Sequence, residues 1–402
     1  MTMASQSSFA PAGLGAVPRS ARQILTLIDH LPESVELVLP GGQPWHGRGR
    51  VAAARLTVHD WAFFDHVLAR GELGLGESYV AGLWDCADLP GLLAYLGRQR
   101  QALGRAVHGQ ALQLMMARLR HWLRPNTREG ARRNIMAHYD LGNAFYALWL
   151  DASMSYSAAC FAHPDEPLER AQQRKYRRIL DRLEARPGQR ILEIGCGWGG
   201  FAEIAAAEYG CRVVGITLSP AQLEWAQRRM AAAGLDDRVE LRLQDYRDVP
   251  GRFDHIVSIE MLEAVGERYW PTYFRTLRDR LAPGGRAMIQ VITIDDGLFP
   301  AYRRQPDFIR QHVFPGGMLP GPRRLGQLAA GAGLALNEDH AFGDDYALTL
   351  ARWRAAFEQA LPQVRAQGFD ERFIRLWRYY LALCEGGFRA RNIDVRQTLL
   401  QG

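Results

Sequence analysis

The sequence is poor in the features that identify secreted, metal-binding and membrane-spanning proteins. Its 402 residues include five cysteines, which are odd in number, scattered and without a CxxC pair. This pattern predicts neither a disulfide framework nor a zinc site. No apolar run is long enough to cross a bilayer, and residues 1–20 lack the charged start and apolar core of a signal peptide. We therefore expect a cytoplasmic protein with a disordered leader at residues 1–20 and no metal.

The charge balance favours an anionic partner. The formal net charge is +6, and the basic residues are almost all arginine. Nucleic acid and the phosphate surface of a membrane both fit this balance. Residues 98–133 hold nine arginines and a single acid, and their apolar residues recur at helical spacing. Such a basic amphipathic helix would lie on anionic lipid at the inner membrane surface, unless it is a solvated linker helix docked on the protein body.

Two regions of different pattern predict two domains. Residues 21–125 mix short strand-like pieces, aromatic residues and turn-forming glycines with the basic helix, which indicates a small α+β domain associated with lipid. Residues 126–402 are the expected catalytic domain. From residue 185 strands and helices alternate, as in a Rossmann-like, doubly wound parallel α/β sheet. APGG is the expected turn before the strand RAMIQVITI, and two long helices are expected beyond Tyr346.

A glycine-rich turn joins the first strand of this sheet to its first helix. In EIGCGWGG (193–200), Gly195 and Gly197 let the backbone approach a ligand, and the following helix offers free amides. A nicotinamide site would also need an acid about 20 residues further on, where this chain has GITLS. Glu193 instead completes the E/D-x-G-x-G-x-G pattern of S-adenosylmethionine (SAM) methyltransferases.

Residues after the next two strands complete the predicted cofactor site. Thr217 and Gln222 would serve the ribose, and Leu218 follows in the same segment. Asp245 and Tyr246 close the third strand and would hydrogen-bond and flank the adenine. The competing interpretation is that these residues only cap the loop and end strands. The parts predict SAM binding, but such a core does not identify a substrate.

Further stretches resemble the cyclopropane fatty acid synthase family from about residue 50 to the end. They include GELGLGESYVAGLWDC (71–86), HYDLGNAFYALWLD (138–151), IVSIEMLEAVG (256–266) and HVFPGGMLP (312–320). The resemblance implies a class I methyltransferase core that adds the SAM methyl carbon to the cis double bond of an unsaturated phospholipid acyl chain. It also favours a homodimer.

The resemblance implies roles for residues around the reacting carbon. Tyr156 and Ser157 would contact the reacting end of SAM, Glu263 would lie beside the reacting centre, and Tyr346 would point toward it. The family holds a bicarbonate ion, which accepts the proton lost on ring closure, with a cysteine, a glutamate, a histidine and a tyrosine.

This chain departs from that bicarbonate site. Ala158 stands at the place of the cysteine, with a thiol moved to Cys160, and Gln290 stands at the place of the histidine. Ala264 stands where the family has a further histidine, and Glu260 stands where the family has glycine. We therefore expect bicarbonate to bind poorly, Gln290 to line the active site, and Glu260 to be available as a base.

The missing anion site predicts a different product. Without a base placed for ring closure, the methylated cation would lose a proton from the neighbouring chain carbon. The expected product is a methyl-branched unsaturated acyl chain, similar to that of the furan fatty acid pathway methyltransferase. A cyclopropane product, a non-lipid small-molecule substrate and a non-catalytic lipid-binding protein stay open as alternatives. Nucleic acid is not an expected substrate, because no N/D-P-P-Y signature or recognisable binding module occurs.

Overall fold

The computed structural model describes residues 17–47, 52–100, 141–305 and 307–402. Most of the predicted leader, nearly all of the basic helix and the predicted domain boundary at residue 125 lie outside the described residues. Within them, residues 17–87 form one compact unit, and residues 88–100 with 141–402 form a second. No helix in these ranges is both long and apolar enough to cross a membrane.

The first unit is a small α+β structure, as predicted. Its described elements are α1 (Arg19–Ile28), β1 (Ser34–Val38), β2 (Pro44–His46), β3 (Ala52–Val58), α2 (Ala62–Arg70), α3 (Glu72–Val80) and β4 (Trp84–Cys86). The strand order is β2-β1-β3-β4, with β1 and β3 parallel. Trp84 is fully buried, its ring lies 5.2 Å from that of Tyr79, and its indole N–H donates to the Leu75 carbonyl over 3.1 Å. Aromatic residues of this region therefore form part of this unit's core.

The second unit is built on a seven-stranded sheet. Its strands are β5 (Arg190–Ile194), β6 (Arg212–Thr217), β7 (Val239–Leu243), β8 (Phe253–Ile259), β9 (Leu281–Ile294), β10 (Ala335–Ala341) and β11 (Ile393–Gln401). The order is β10-β11-β9-β8-β5-β6-β7, in which β9 through β7 are parallel. This confirms the predicted Rossmann-like sheet. The last strand, β11, runs antiparallel between β9 and β10.

The second unit also contains helices, some of which cover the two faces of the sheet. They are α4 (Leu89–Arg98), α5 (Asn143–Tyr146), α6 (Leu168–Leu183), α7 (Gly200–Ala207), α8 (Pro220–Ala232), α9 (Leu262–Val265), α10 (Trp270–Arg280), α11 (Phe299–Arg304), α12 (Phe308–His312), α13 (Pro322–Gly331), α14 (Gly343–Gln359), α15 (Leu361–Ala366) and α16 (Glu371–Arg389). Ile191 and Val213 point to one face, against α6 and α7, while Leu192 and Val214 point to the other, against α10 and α13. The alternation of buried side chains on both faces explains the nearly continuous apolar strands.

Two features of the sheet differ from the sequence prediction. The APGG segment falls within β9 rather than before it: residues 282–285 loop out opposite Asp254, and regular pairing with β8 resumes at Arg286, where the predicted strand begins. The strand β11 was missed altogether. Its polar residues, among them Gln397 and Thr398, conceal the strand pattern, yet both are fully buried.

The crossing of α4 and α16 is tight enough to test. A Cβ built on Gly386 would lie 2.9 Å from the Ala94 nitrogen and 2.9 Å from the Leu93 Cβ. We expect Gly386→Ala to lower the free energy of unfolding by about 1–3 kcal/mol, because the helices must separate. Gly326→Ala is the matched control: this helical glycine has nothing within 4 Å. The free energy of unfolding of Gly326→Ala should rise by roughly 0.5–1 kcal/mol. Thermal unfolding followed by circular dichroism measures both, and equal melting temperatures would contradict the tight crossing.

Candidate active site

The site lies where the connections of the parallel sheet change direction. From β5 the chain proceeds to β6 and β7 on one side, and then crosses to β8 on the other. Open α/β sheets bind ligands at the carboxyl ends of strands at such a point. Glu193 and Gly195 lie at this end of β5, and Glu260 follows β8. The topology thus brings the glycine loop and Glu260 together.

An open cavity occupies this position. Its empty space, including the part that opens to solvent, is about 960 Å³. Most of the residues predicted from sequence line it, namely Tyr156, Ser157, Glu193, Gly195, Gly197, Thr217, Leu218, Gln222, Tyr246 and Glu260. The structure therefore gathers residues that are more than 100 positions apart in the sequence.

The glycine loop has a backbone that only glycine adopts readily. Gly195 and Gly197 have φ of 85° and 51°. The amides of Gly195 and Cys196 both donate to the Ile216 carbonyl, over 3.0 and 2.9 Å, which closes the loop onto β6. The Trp198 indole N–H donates to Asn143 Oδ1 over 2.8 Å and ties the loop to α5. The loop is therefore fixed at the end of β5, with its concave side toward the cavity.

Glu193 is the acid placed to meet a ligand. Its side chain is buried, and burial raises the pKa of the carboxyl well above its usual range. Its Oε2 atom has no hydrogen-bond partner in the described part of the chain, so it is not accounted for by capping loop amides. A buried acceptor without a partner is costly, and N–H or O–H groups of a bound ligand would satisfy it. The methionine amine and ribose hydroxyls of SAM carry such donors, so the residues present fit SAM.

At the adenine end, one of the predicted residues is not in the cavity wall. Tyr246 lines the cavity, but Asp245 does not. Both carboxylate oxygens of Asp245 accept hydrogen bonds from the Arg247 guanidinium, over 2.8 and 2.6 Å. Gln244 lines the cavity together with Tyr246, and the adenine contact of Asp245 stays a prediction. Thr217 donates to Gln222 Oε1 over 3.0 Å and fixes that amide.

Glu260 is held at a strained position. Its φ of 50° lies in the left-handed region, which is uncommon for a residue with a Cβ and costs about 1–2 kcal/mol. Its Oε1 accepts from the Ala158 amide and from Gln290 Nε2, both over 2.8 Å. Its Oε2 accepts from the Tyr346 hydroxyl over 2.6 Å. Burial raises the pKa of the Glu260 carboxyl, and these donors pull it partly back.

Three residues predicted at the reacting centre are not in the wall of this cavity. Gln290 and Tyr346 contact the Glu260 carboxylate, and their place in the active site stays a prediction. The amide on the apolar strand β9 serves a neighbouring carboxylate. Glu263 also lies outside the cavity wall, where its Oε1 accepts from the Ile292 amide over 2.6 Å and burial raises its pKa to about 8.

The displaced thiol is not an alternative base. Cys160 is buried and does not line the cavity. Burial raises its pKa to about 12, so the thiol stays protonated at neutral pH.

Sequence reasoning missed a buried lysine. Lys175 on α6 is fully buried, and its ammonium donates to Ser157 Oγ over 2.6 Å and to Gln172 Oε1 over 2.7 Å. Gln172 in turn donates to the Ser157 carbonyl over 2.9 Å. Together they hold the segment that carries Tyr156 and Ser157 against the cavity. One signal was available: Lys175 is the only lysine in a sequence otherwise rich in arginine.

Buried charge defines the electrostatics of the site. Three acids, Glu193, Glu260 and Glu263, have raised pKa values, because burial disfavours their charged form. Lys175 has a pKa lowered by burial to about 8, although nearby acids, Glu260 foremost, pull it up. The site therefore holds its few charges away from water, where their mutual interactions are strong.

The fold and the site define a class I SAM-dependent methyltransferase. A family model for mycolic acid cyclopropane synthetase matches residues 126–398. The chain is 40% identical to tuberculostearic acid methyltransferase of Mycobacterium tuberculosis, over 82% of this chain and 79% of the relative. It is 38% identical to cyclopropane-fatty-acyl-phospholipid synthase of Escherichia coli, over 87% of this chain and 88% of the relative.

Solved structures agree with this assignment. A crystal structure of a mycolic acid cyclopropane synthase with SAH and CTAB has a TM-score of 0.64 and 31% identity, and it covers 67% of this chain and 98% of that one. The chain belongs to the mycolic acid cyclopropane synthetase family. SAM is its cofactor.

The single lysine allows a direct test of the buried charge. Isotope labelling of lysine should give one side-chain NMR signal. In the folded protein we expect it to titrate with a midpoint of about 8, because burial disfavours the ammonium. In urea the same signal should titrate near the ordinary value of about 10.4. A folded-state midpoint at the ordinary value would contradict the buried position of Lys175.

Proposed function

We propose that the protein transfers the methyl group of SAM to the cis double bond of an unsaturated phospholipid acyl chain and yields a methyl-branched unsaturated chain. The observation that carries this proposal is the Glu260 carboxylate, bound by the Ala158 amide, Gln290 and Tyr346. In the family that this chain resembles, the corresponding positions hold bicarbonate. A side-chain carboxylate thus takes the place of the free anion.

A second anion at this place is unfavourable. The three donors around Glu260 are already used, and a bicarbonate ion beside the carboxylate would meet a like charge. Ala158 offers no thiol, and Gln290 is turned toward Glu260. We therefore expect catalysis that does not depend on bicarbonate.

Every bond formed or broken in the proposed reaction is accounted for with Glu260 as the only base. SAM supplies an electrophilic methyl carbon. The alkene electron pair forms the new C–C bond, the sulfonium leaves as a neutral thioether, and a positive charge develops on the adjacent chain carbon. Glu260 then accepts a proton from a neighbouring chain carbon, and the electrons of that C–H bond form the new double bond. Glu263 is not in the cavity wall, and its Oε1 accepts from the Ile292 amide, so Glu260 is the better placed base.

The fixed position of Glu260 supports proton loss from the chain rather than from the methyl group. Its carboxylate is attached to the end of β8 and pinned at both oxygens, so it cannot follow the transferred methyl carbon as a free anion could. One relative, tuberculostearic acid methyltransferase, is named for methylation rather than for ring formation. Both points favour the branched product over the ring.

Aromatic side chains at the cavity wall are suited to stabilise a cationic intermediate. Tyr156 lines the cavity and packs against Trp149 and Trp353, with ring centroids 5.5 and 5.3 Å away. Its hydroxyl hydrogen-bonds that of Tyr380 over 2.6 Å, which fixes the ring. Aromatic faces stabilise a nearby cation, and apolar walls keep water from trapping it. A phospholipid substrate would place the enzyme at a membrane surface.

Deuterium in the transferred methyl group distinguishes the products. Purified protein is incubated with methyl-trideuterated SAM and vesicles of dioleoylphosphatidylglycerol, and the fatty acids are analysed by mass spectrometry before and after mild hydrogenation. We expect a product that keeps all three deuterium atoms and takes up hydrogen. A product that keeps only two and resists hydrogenation is a cyclopropane and would overturn the proposal. Methylation of a small molecule without any lipid would overturn the substrate class.

Restoring the family's anion site should change the product. Ala158→Cys, Gln290→His and Glu260→Gly together recreate the pattern that Glu260 replaces, and glycine also relieves the left-handed strain at residue 260. We expect this triple variant to need added bicarbonate and to form a hydrogenation-resistant product. The single Ala158→Cys variant, which keeps Glu260, is the matched control and should still give the branched alkene. An unchanged product from the triple variant would show that Glu260 does not determine the outcome.

A further inference from the structure

A chain of hydrogen bonds connects Glu260 with the surface of the second unit. Gln290 on β9 donates both N–H groups inward, to Glu260 Oε1 over 2.8 Å and to the Ala158 carbonyl over 3.3 Å. Its Oε1 accepts from Nε2 of Gln397 over 2.9 Å. These two glutamines are directly opposite each other on β9 and β11, and both are buried.

The outer end of the chain is a guanidinium. Arg178 on α6 donates to Gln397 Oε1 and, through its other terminal nitrogen, to Glu338 Oε1 over 2.6 Å. Arginine has donors but no acceptor and stays charged at any relevant pH. It can therefore only face the oxygen of the Gln397 amide.

This end and the Ala158 carbonyl, which accepts from Gln290, favour the same direction for every bond in the chain. With its oxygen bound to Arg178, Gln397 must present its NH₂ to Gln290. Gln290 must then present its own NH₂ to Glu260. Turning the Gln290 amide around would place two oxygens against each other at Glu260 and two NH₂ groups against each other at Gln397. Such a pair of mismatches inside a buried network is costly.

We propose that Gln397 and Arg178 are positioning residues that keep Glu260 in its unprotonated, proton-accepting form. The inference rests on the proposed function, in which Glu260 is the base. Proton transfer does not run along the amides; they fix which group faces the carboxylate. A donor facing Oε1 stabilises the carboxylate, whereas an amide oxygen facing it would stabilise the protonated acid.

Other titratable groups also act on Glu260. Tyr346 on α14 donates to Oε2. Lys175 on α6 favours the charged form, and Glu263 on α9 and Cys384 on α16 interact with it through space. None of them contacts Gln397 or Gln290 by a hydrogen bond of its own in the described residues. A change at Gln397 therefore isolates the direction of the Gln290 amide.

The test is the pH dependence of a single turnover with SAM and vesicles of dioleoylphosphatidylglycerol. In Gln397→Leu the Gln290 oxygen loses its donor, and of the fixed partners only the Ala158 carbonyl, 3.3 Å away, still opposes turning of the amide, so the acidic limb of the rate profile should move by about one pH unit toward alkaline pH. The rate should fall roughly tenfold below the limb and return to the wild-type rate above it. Arg178→Met should behave in the same way, and Arg178→Lys, which keeps a donor, should restore most of the wild-type profile.

A matched control separates positioning from general damage to β11. Thr398→Val removes a partly buried hydrogen bond to Asp339 from the adjacent residue of the same strand, away from the glutamine pair. It should lower the melting temperature without moving the acidic limb. A limb that stays in place in Gln397→Leu and Arg178→Met, or a rate that falls equally at all pH values, would overturn the inference.

Glu260→Gln distinguishes failure of the inference from failure of the proposed function. If this variant loses about a hundredfold or more in rate while Gln397→Leu leaves the profile unchanged, only the positioning role is wrong. If Glu260→Gln keeps the full rate, Glu260 is not the base, and the positioning role and the proposed function are both wrong.

An infrared titration gives a readout without turnover. The carboxyl band that disappears in Glu260→Gln should have a higher midpoint in Gln397→Leu than in the wild type.

Discussion

The structure of the site depends on one carboxylate held in a left-handed turn. At the end of β8 the backbone adopts a conformation suited to glycine, yet residue 260 is glutamate. The strain is offset by hydrogen bonds to both carboxylate oxygens, from a backbone amide, a glutamine and a tyrosine. Residues held in such conformations at a cavity are commonly part of the mechanism. The donors come from the Ala158 segment, β9 and α14, so a single side chain ties together three parts of the second unit.

The surroundings of this carboxylate explain why so much polarity is buried in an apolar sheet. Gln290, Gln397 and Lys175 are all inaccessible to solvent, and all have partners that lead toward the cavity. Buried polar groups of this kind are tolerated only when they are satisfied. Glu193 differs, because one of its oxygens lacks a partner until a ligand arrives. The site thus combines a preassembled acceptor for the proton with an acceptor reserved for the cofactor.

Much of the fold and of the cofactor site could be predicted from sequence. Alternating strands and helices, the glycine loop and the residues after β6 have local signatures, because each depends on neighbours in the chain. The details that the sequence did not show depend on partners distant in sequence or on pairing between neighbours. Asp245 pairs with Arg247, two residues away. Gln290 contacts Glu260, which lies 30 positions away in the sequence. The strand β11 was missed because its polar residues are buried by contacts with β9, α6 and β10.

The lysine content of the chain has a practical consequence. Amine-reactive reagents attack exposed, unprotonated amino groups, and the only side-chain amine of this protein is sealed under the cofactor cavity. Succinimidyl dyes, biotin esters and amine-coupling surfaces therefore find no exposed lysine on the folded chain. Labelling of Lys175 during storage would report that the interior has opened.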